Sequence, residues 1–373
     1  MNSKFKKKFY LFLKFVVEFF MVDSGKSSIL KHAGITILFK VLVFLLLVNL
    51  FSANAVYSQL IPNLGGQRTG TSSLQFLKIG NGARGTAMGE AFIAVVDDIS
   101  ALHYNPAGLT LFKENGVTVS HTQWFVDSRL ENFGAVYHFG GNNAVGLSIT
   151  SLATEDMKVT TEFQPEGTGS YFRFSDLAVG LSFARQFTEQ FSFGVTVRYV
   201  EETLGELKTR TVLGDLATFY KTGLGTTRFA VVISNFGSQV GPSGSVQLIE
   251  NRTAKDFQKF PPPTLFKIGF AFEPILTKIN RVTTSIQVNS PNDNAEYLNI
   301  GAEYAFKDFL FFRGGYKFNV DAESFSLGAG IQVPVSFAKA NLDYSISNYK
   351  DLGFAQRLSL NILFPTKQKE VLR

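Results

Sequence analysis

The chain has 373 residues, 14% of them aromatic, with 39 phenylalanines against one tryptophan, 33 glycines and no cysteine. Disulfide frameworks, thiolate chemistry and cysteine-held metals are thereby excluded, and the chain is too apolar for disorder. The net charge of +6 does not point to an acidic partner: the first 55 residues carry eight of the 36 basic residues and two of the 30 acidic ones, leaving 28 of each sign in the remainder, so nucleic acid is not expected as a partner.

Residues 35–51 form an apolar run broken by Lys40 and Asn49, with Lys26, Lys31 and His32 before it and Ser52-Ala53-Asn54-Ala55 after it. A basic flank, an apolar core and a small-residue exit are the parts of a secretory signal peptide. One is expected over 1–55, with cleavage after Ala55. The run is short for a membrane anchor. Residues 1–20 add a second basic and apolar stretch that such a peptide does not need, which makes Met21 an alternative start.

Residues 56–112 are read as the mature N-terminus followed by a hatch. The stretch 56–70 is polar and punctuated by Pro62 and glycines, and 74–79 suits one helical turn. The stretch 82–109 differs from everything after it. It does not alternate, it is rich in small residues, and it closes on Asn105-Pro106-Ala107-Gly108-Leu109. Ser100 is placed to cap a short helix, Asn105 cannot be helical before Pro106, and Pro106 can open a new turn. Phe92, Ile93, Val95 and Val96 make the stretch too apolar to lie free in water, whereas Gly85, Gly89 and Pro106 make it too interrupted for a wall strand.

From residue 113 to 366 the side chains alternate with period two. Val145, Leu147 and Ile149 interleave with Gly146, Ser148 and Thr150; Ala338, Ala340, Leu342, Tyr344 and Ile346 interleave with Lys339, Asn341, Asp343 and Ser345. Strands are expected at 115–126, 129–139, 143–152, 171–184, 191–201, 211–220, 226–235, 263–272, 281–290, 295–306, 309–318, 323–333, 336–348 and 355–364, before a short tail at 367–373. The connections alternate between tight, as at 140–143 and 188–190, and long, as at 153–170 and 236–262. An even number of strands of bilayer-crossing length, with short turns on one rim and long loops on the other, is the arrangement of an outer-membrane barrel. The second face of these strands is Gly, Ser, Thr, Ala and Asn, with less charge than a water-facing surface carries. The fold class is therefore all-β: a 14-stranded antiparallel transmembrane β-barrel with an N-terminal hatch or plug. Leu181 and Val195 are expected on the lipid face, with Ser182 and Thr196 in a lumen where substitution is milder.

The stretch from Gly82 to Phe92, then Asp97-Asp98, then Asn105 to Leu109, resembles the N-terminal signature of the PorV/PorQ family, itself similar to the FadL-type transporters of hydrophobic compounds. The resemblance implies a 14-stranded barrel with an internal hatch in the bacterial outer membrane. It also implies a role beside type IX secretion components or secreted cargo or, alternatively, passage of long-chain fatty acids or other hydrophobic ligands. Residues 82–109 are then expected to gate the lumen, with outer-membrane lipid around the barrel.

Site residues follow from this reading. Gly82, Gly85, Gly89 and Ala107 would allow close backbone approach within the hatch. Arg84 would hold the hatch to the wall through an ion pair or hydrogen bond. Asp97 and Asp98 suit a cation or a cap on the next turn, the cap being favoured. Asn105 would fix the Pro106 turn through its side-chain amide. Phe309 and Phe311 would point into the lumen, either toward an apolar ligand or against the hatch. The four histidines lack metal-binding spacing and no Ser/His/acid set can be paired, so no metal, cofactor or catalytic residue is expected.

Overall fold

In the computed structural model, residues 69–247, 253–335 and 338–364 are described; the expected leader at 1–55 and tail at 367–373 lie outside them. The period-two segments form strands β1 (Asn115–Gln123), β2 (Arg129–Phe139), β3 (Asn143–Ala153), β4 (Met157–Lys158), β5 (Tyr171–Phe172), β6 (Phe174–Gln186), β7 (Phe191–Leu204), β8 (Leu207–Lys221) and β9 (Arg228–Phe236). They continue with β10 (Val246–Gln247), β11 (Thr253–Ala254), β12 (Leu265–Leu276), β13 (Asn280–Pro291), β14 (Tyr297–Phe306), β15 (Leu310–Phe318), β16 (Phe325–Val335), β17 (Ala338–Asn348) and β18 (Phe354–Phe364). Fourteen of them close into one antiparallel barrel in the order β1-β18-β17-β16-β15-β14-β13-β12-β9-β8-β7-β6-β3-β2. The two-residue strands β4–β5 and β10–β11 pair as ribbons within the two long loops. Closure leaves no unpaired edge, the condition for a sheet to cross a bilayer.

Alternation sorts the wall residues by size and polarity. The outer register carries Leu181, Phe183, Val197, Phe270 and Phe312, all exposed, and the inner register carries Ser148, Ser182, Thr196, Ser285, Ser345 and Ser359, all buried. Two details differ from the sequence expectation. The β7–β8 hairpin runs past 201 and 211 until Leu204 pairs with Leu207, because Gly205 at φ +58° makes a two-residue turn there. The lumen is also filled. Leu181 is 65% exposed, whereas Ser182 and Thr196 are each 1% exposed and hydrogen-bonded to one another at 2.7 Å.

A milder effect at the lumenal positions is therefore not expected. Leu181→Arg should cost about 2–4 kcal/mol at the bilayer midplane. Thr196→Arg should cost at least as much, because a long cation there meets packed atoms and strands the Ser182 hydroxyl. Folding titrations in lipid compare the two, and a clearly gentler Thr196→Arg would mean that the lumen at this level has room.

Candidate functional site

The barrel interior is occupied by residues 69–112. A 3₁₀ turn (Gln75–Lys78) leads to helix α1 (Ala83–Ala87), helix α2 (Ala101–Tyr104) and a second 3₁₀ turn (Pro106–Thr110). Helix α1 packs against β15, β16, β17 and β18, and the second 3₁₀ turn against β3, β6, β7 and β8 on the opposite wall. The segment thus bridges the lumen.

Its apolar body consists of Met88, Phe92, Ile93, Val95, Val96, Ile99, Leu102, Leu109 and their neighbours, all buried. Opposite them the wall offers little side chain. A Cβ on Gly315 would come within 2.1 Å of Gly89 N and Met88 C, and one on Gly194 within 2.3 Å of Ala107 N. Ala144, Ala184, Ala217, Ala230 and Ala271 belong to the same surface, whose larger members are Val136, Phe219, Val232 and Leu363. The small inner register is where the segment's backbone lies closest to the wall.

The polar sites lie at both ends of this body. Toward the short-turn rim, Arg84 on α1 makes a two-pronged contact with Glu303 of β14, at 2.9 Å from Nε and 3.0 Å from Nη2. Its Nη1 reaches Asp97 at 2.5 Å and Asp98 at 2.6 Å. Glu303 also accepts from Arg313 Nε at 2.6 Å, and Arg313 Nη1 reaches Asp343 of β17 at 2.6 Å. Arg313 crosses the intervening β16 over Gly330, where a Cβ would sit 2.7 Å from its Nη1. Glu303 is 1% exposed, so each member of this chain of charges depends on the next.

Asp98 has a second task, since its Oδ1 accepts from Ser100 N at 2.8 Å ahead of α2; Ser100 itself makes no side-chain cap. Asn105 Oδ1 accepts from Ala107 N at 3.0 Å, and its Nδ2 donates to Ile93 O at 2.8 Å and to Thr218 O of β8 at 3.3 Å. Gly82, at φ +72°, precedes α1, where Ala83 N donates to Ser359 Oγ of β18 at 2.7 Å. Gly85 lies against the Tyr104 ring, and Pro106 opens the second 3₁₀ turn. Phe311 is 7% exposed on the inner register, its ring 5.1 Å from the Arg313 guanidinium carbon. Phe309 does not join it. It is 42% exposed and precedes β15, after Lys307 and Asp308 have turned the chain at φ +53° and +49°.

Toward the long-loop rim, Leu74, Phe76, Leu130, Leu152, Ala178, Val200, Leu213 and Val240 form an apolar cap against which Trp124 packs. Asp293, in the β13–β14 loop, ties the segment's start to it. The carboxylate accepts from Ser72 Oγ, from Gln75 Nε2 at 3.0 Å and from Lys78 Nζ at 2.9 and 3.0 Å. Burial acts to raise its pKa, but the hydrogen bonds from Ser72, Lys78 and Gln75 hold it below the usual aspartate value. A lowered carboxylate pKa stabilises the fold above the ordinary value near 4 and stops doing so as pH falls through the lower, folded-state value. Emission from Trp124, the chain's one tryptophan, is expected to shift to the red across that acidic range. Asp293→Asn is expected to lose this pH dependence and show the loosened emission at neutral pH. An acid transition unchanged in the variant would place its origin elsewhere.

Glu303, Arg313, Asp343 and Asp293 do not stand out as site residues in the sequence. The only local signal of the first three is a charge on the register otherwise held by Ser, Thr, Gly and Asn, and Asp293, in a loop, has none.

The sequence profile of the type IX secretion system protein PorV matches residues 63–291. A search of curated proteins finds no match. Among solved structures, the Pseudomonas putida toluene transporter TodX is similar at 14% identity, over 76% of this chain and 96% of that one, with a TM-score of 0.51. The monoaromatic hydrocarbon channel CymD is similar at 14% identity, over 76% and 97%, with a TM-score of 0.50. At these identities the likeness shows a shared barrel fold.

Proposed function

The chain belongs to the PorV family of type IX secretion system proteins, and from that premise we propose that it is an outer-membrane accessory barrel for type IX secretion or surface-protein assembly, plugged by its own residues 69–112. The observation that carries this reading is the family match itself, which runs unbroken through the lumenal segment and on to the end of β13. Both long loops lie on the rim opposite the one where β1 begins and β18 ends, together with the two-residue β7–β8 turn; in outer-membrane barrels the longer loops are extracellular. Secretion components or secreted cargo are the partners in this reading, and outer-membrane lipid surrounds the wall. Export would use the leader, with cleavage after Ala55, which Val56 as the first residue of the membrane-fraction protein would support.

The barrel shared with TodX supports a second reading, transport of hydrophobic small molecules. The lumenal cavities weigh against it. The smaller has a volume of about 60 Å³ and a lining that includes Lys78, Glu90, His103, Arg198 and Lys267. The other, toward the short-turn rim, has about 190 Å³ and is lined by Arg84, Asp97, Arg281, Arg313 and Asp343 among others. Pockets for drug-sized ligands run to roughly 300–1,000 Å³ and are mostly apolar. A deletion strain separates the two. Loss of surface-protein export with unchanged uptake of fatty acids and aromatic hydrocarbons is the expected result. Normal export with impaired uptake would overturn the secretion reading.

A further inference from the structure

The smaller of these cavities lies between the apolar body of the lumenal segment and the apolar cap, and its polar groups are unevenly matched. Its lining carries three cations and one carboxylate, Lys78, Arg198, Lys267 and Glu90. Lys78 is neutralised by Asp293 at 2.9 Å and Arg198 by Asp215 at 2.7 Å, while Glu90 is engaged by Lys317 at 3.0 Å. Asp215, the other carboxylate acting on Lys267, also accepts from Asn235 N at 2.7 Å. Lys267, on the inner register of β12, has neither an ion pair nor a side-chain hydrogen bond among the described residues.

Two further donors of the lining lack acceptors among the described residues. Asn81 Nδ2 lies 3.2 Å from His103 Nδ1; with the amide so placed it donates, which leaves the imidazole proton on Nε2. His103 Nε2 is buried without a partner. Asn289 Oδ1 accepts from Gln287 Nε2 at 2.7 Å, but Asn289 Nδ2 is likewise buried and unpartnered. Against these donors, one buried side-chain acceptor of the lining is orphaned, Asn81 Oδ1. Buried donors without acceptors are costly, and a bare ammonium in such a space more so.

We propose that this cavity is a binding site for one small monoanion, of carboxylate or halide chemistry, held by Lys267, His103 and Asn289. The volume of about 60 Å³ suits an ion of a few heavy atoms; an apolar cavity that holds benzene measures about 150 Å³. Phe76, Leu77 and Ile79 line the same space and leave no room for the tail of a longer acid. The anion joins His103 of the lumenal segment to Lys267 and Asn289 of the wall, so its binding tightens the segment in place.

The test uses the full-length protein in detergent with two probes. Carbon-13 formate, followed by nuclear magnetic resonance, is expected to bind saturably at one site per chain. Lys267→Met should weaken it by at least about tenfold, the size of one lost hydrogen bond to a charge, and Lys267→Arg should restore most of the binding. Heat-modifiable gel migration and Trp124 emission establish that each variant is folded. In crystals grown with bromide, an anomalous peak is expected within hydrogen-bond distance of Lys267 Nζ and His103 Nε2. Absence of saturable formate binding, equal affinity in folded Lys267→Met, or bromide only elsewhere would show that the cavity holds water alone. Octanoate binding as tightly as formate, with the same dependence on Lys267, would also overturn the proposal, because the site would then be open to a long acid.

Discussion

Replacing Glu303 by leucine will lower the unfolding free energy by about 3–5 kcal/mol, the cost of removing one partner from a buried set of charges. Among the described residues, Glu303 is the only carboxylate shared by Arg84 and Arg313, at 2.9 and 2.6 Å. Without it Arg84 keeps Asp97 and Asp98, and Arg313 keeps Asp343, but each loses its contact through Nε. Arg84→Met should cost less, because Glu303 retains Arg313. The double variant Arg84→Met with Glu303→Leu should cost less than the sum, because the two side chains share one interaction. Urea titrations of the barrel in lipid measure all three. Strict additivity would show that Arg84 and Glu303 do not support each other.

The second large effect is expected from two wall glycines. Gly315→Val with Gly194→Val places side chains where Gly89 N and Ala107 N lie within 2.1 and 2.3 Å of the added Cβ. Backbone cannot yield there as a flexible side chain can, so the lumenal segment must leave its place while the strands remain paired. Overpacking of this kind costs about 1–3 kcal/mol per site, and occasionally more. The double variant is expected to insert as a barrel, to become protease-sensitive within 82–109, and to pass small polar solutes in a liposome-swelling assay that wild type resists. Asn105→Leu with Ala107→Trp should act in the same direction, since it strands Ile93 O and Thr218 O and overfills a fully buried position. A folded glycine double variant that leaks no more than wild type would remove the gating role proposed for the segment.

The strands were legible because every second wall residue is small or polar whatever its neighbours do, as from Val145 to Thr150. Their ends were less so. Glu202, Glu206 and Lys208 read as a charged loop, yet the β7–β8 ladder continues through them to Leu204 and Leu207. Phe309 follows the inner register of Phe311 on paper, but the left-handed pair Lys307 and Asp308 ends the alternation before it. The small-residue run with Gly85, Gly89 and Pro106 marked a segment unlike the wall. Its partners could not be read, because Arg84 meets Glu303 only through the register of β14, and Arg313 meets Asp343 only across Gly330. Lumenal packing was equally hidden: Ser182 and Thr196 look the same in sequence beside water or beside a filled interior.

The sequence distances spanned by these contacts set an order of events. Arg84 and Glu303 are 219 residues apart, Ser72 and Asp293 are 221 apart, and Ala83 and Ser359 are 276 apart, while β1 pairs with β18 to close the sheet. Contact order this high makes folding slow, since loop closure must be complete before the contacts repay it. Phe92, Ile93, Val95 and Val96 are made early in synthesis but cannot be buried until the C-terminal strands arrive. Until then they are exposed apolar surface, which makes the incompletely folded chain prone to aggregate. Burial of the segment therefore waits on the arrival of the C-terminal strands.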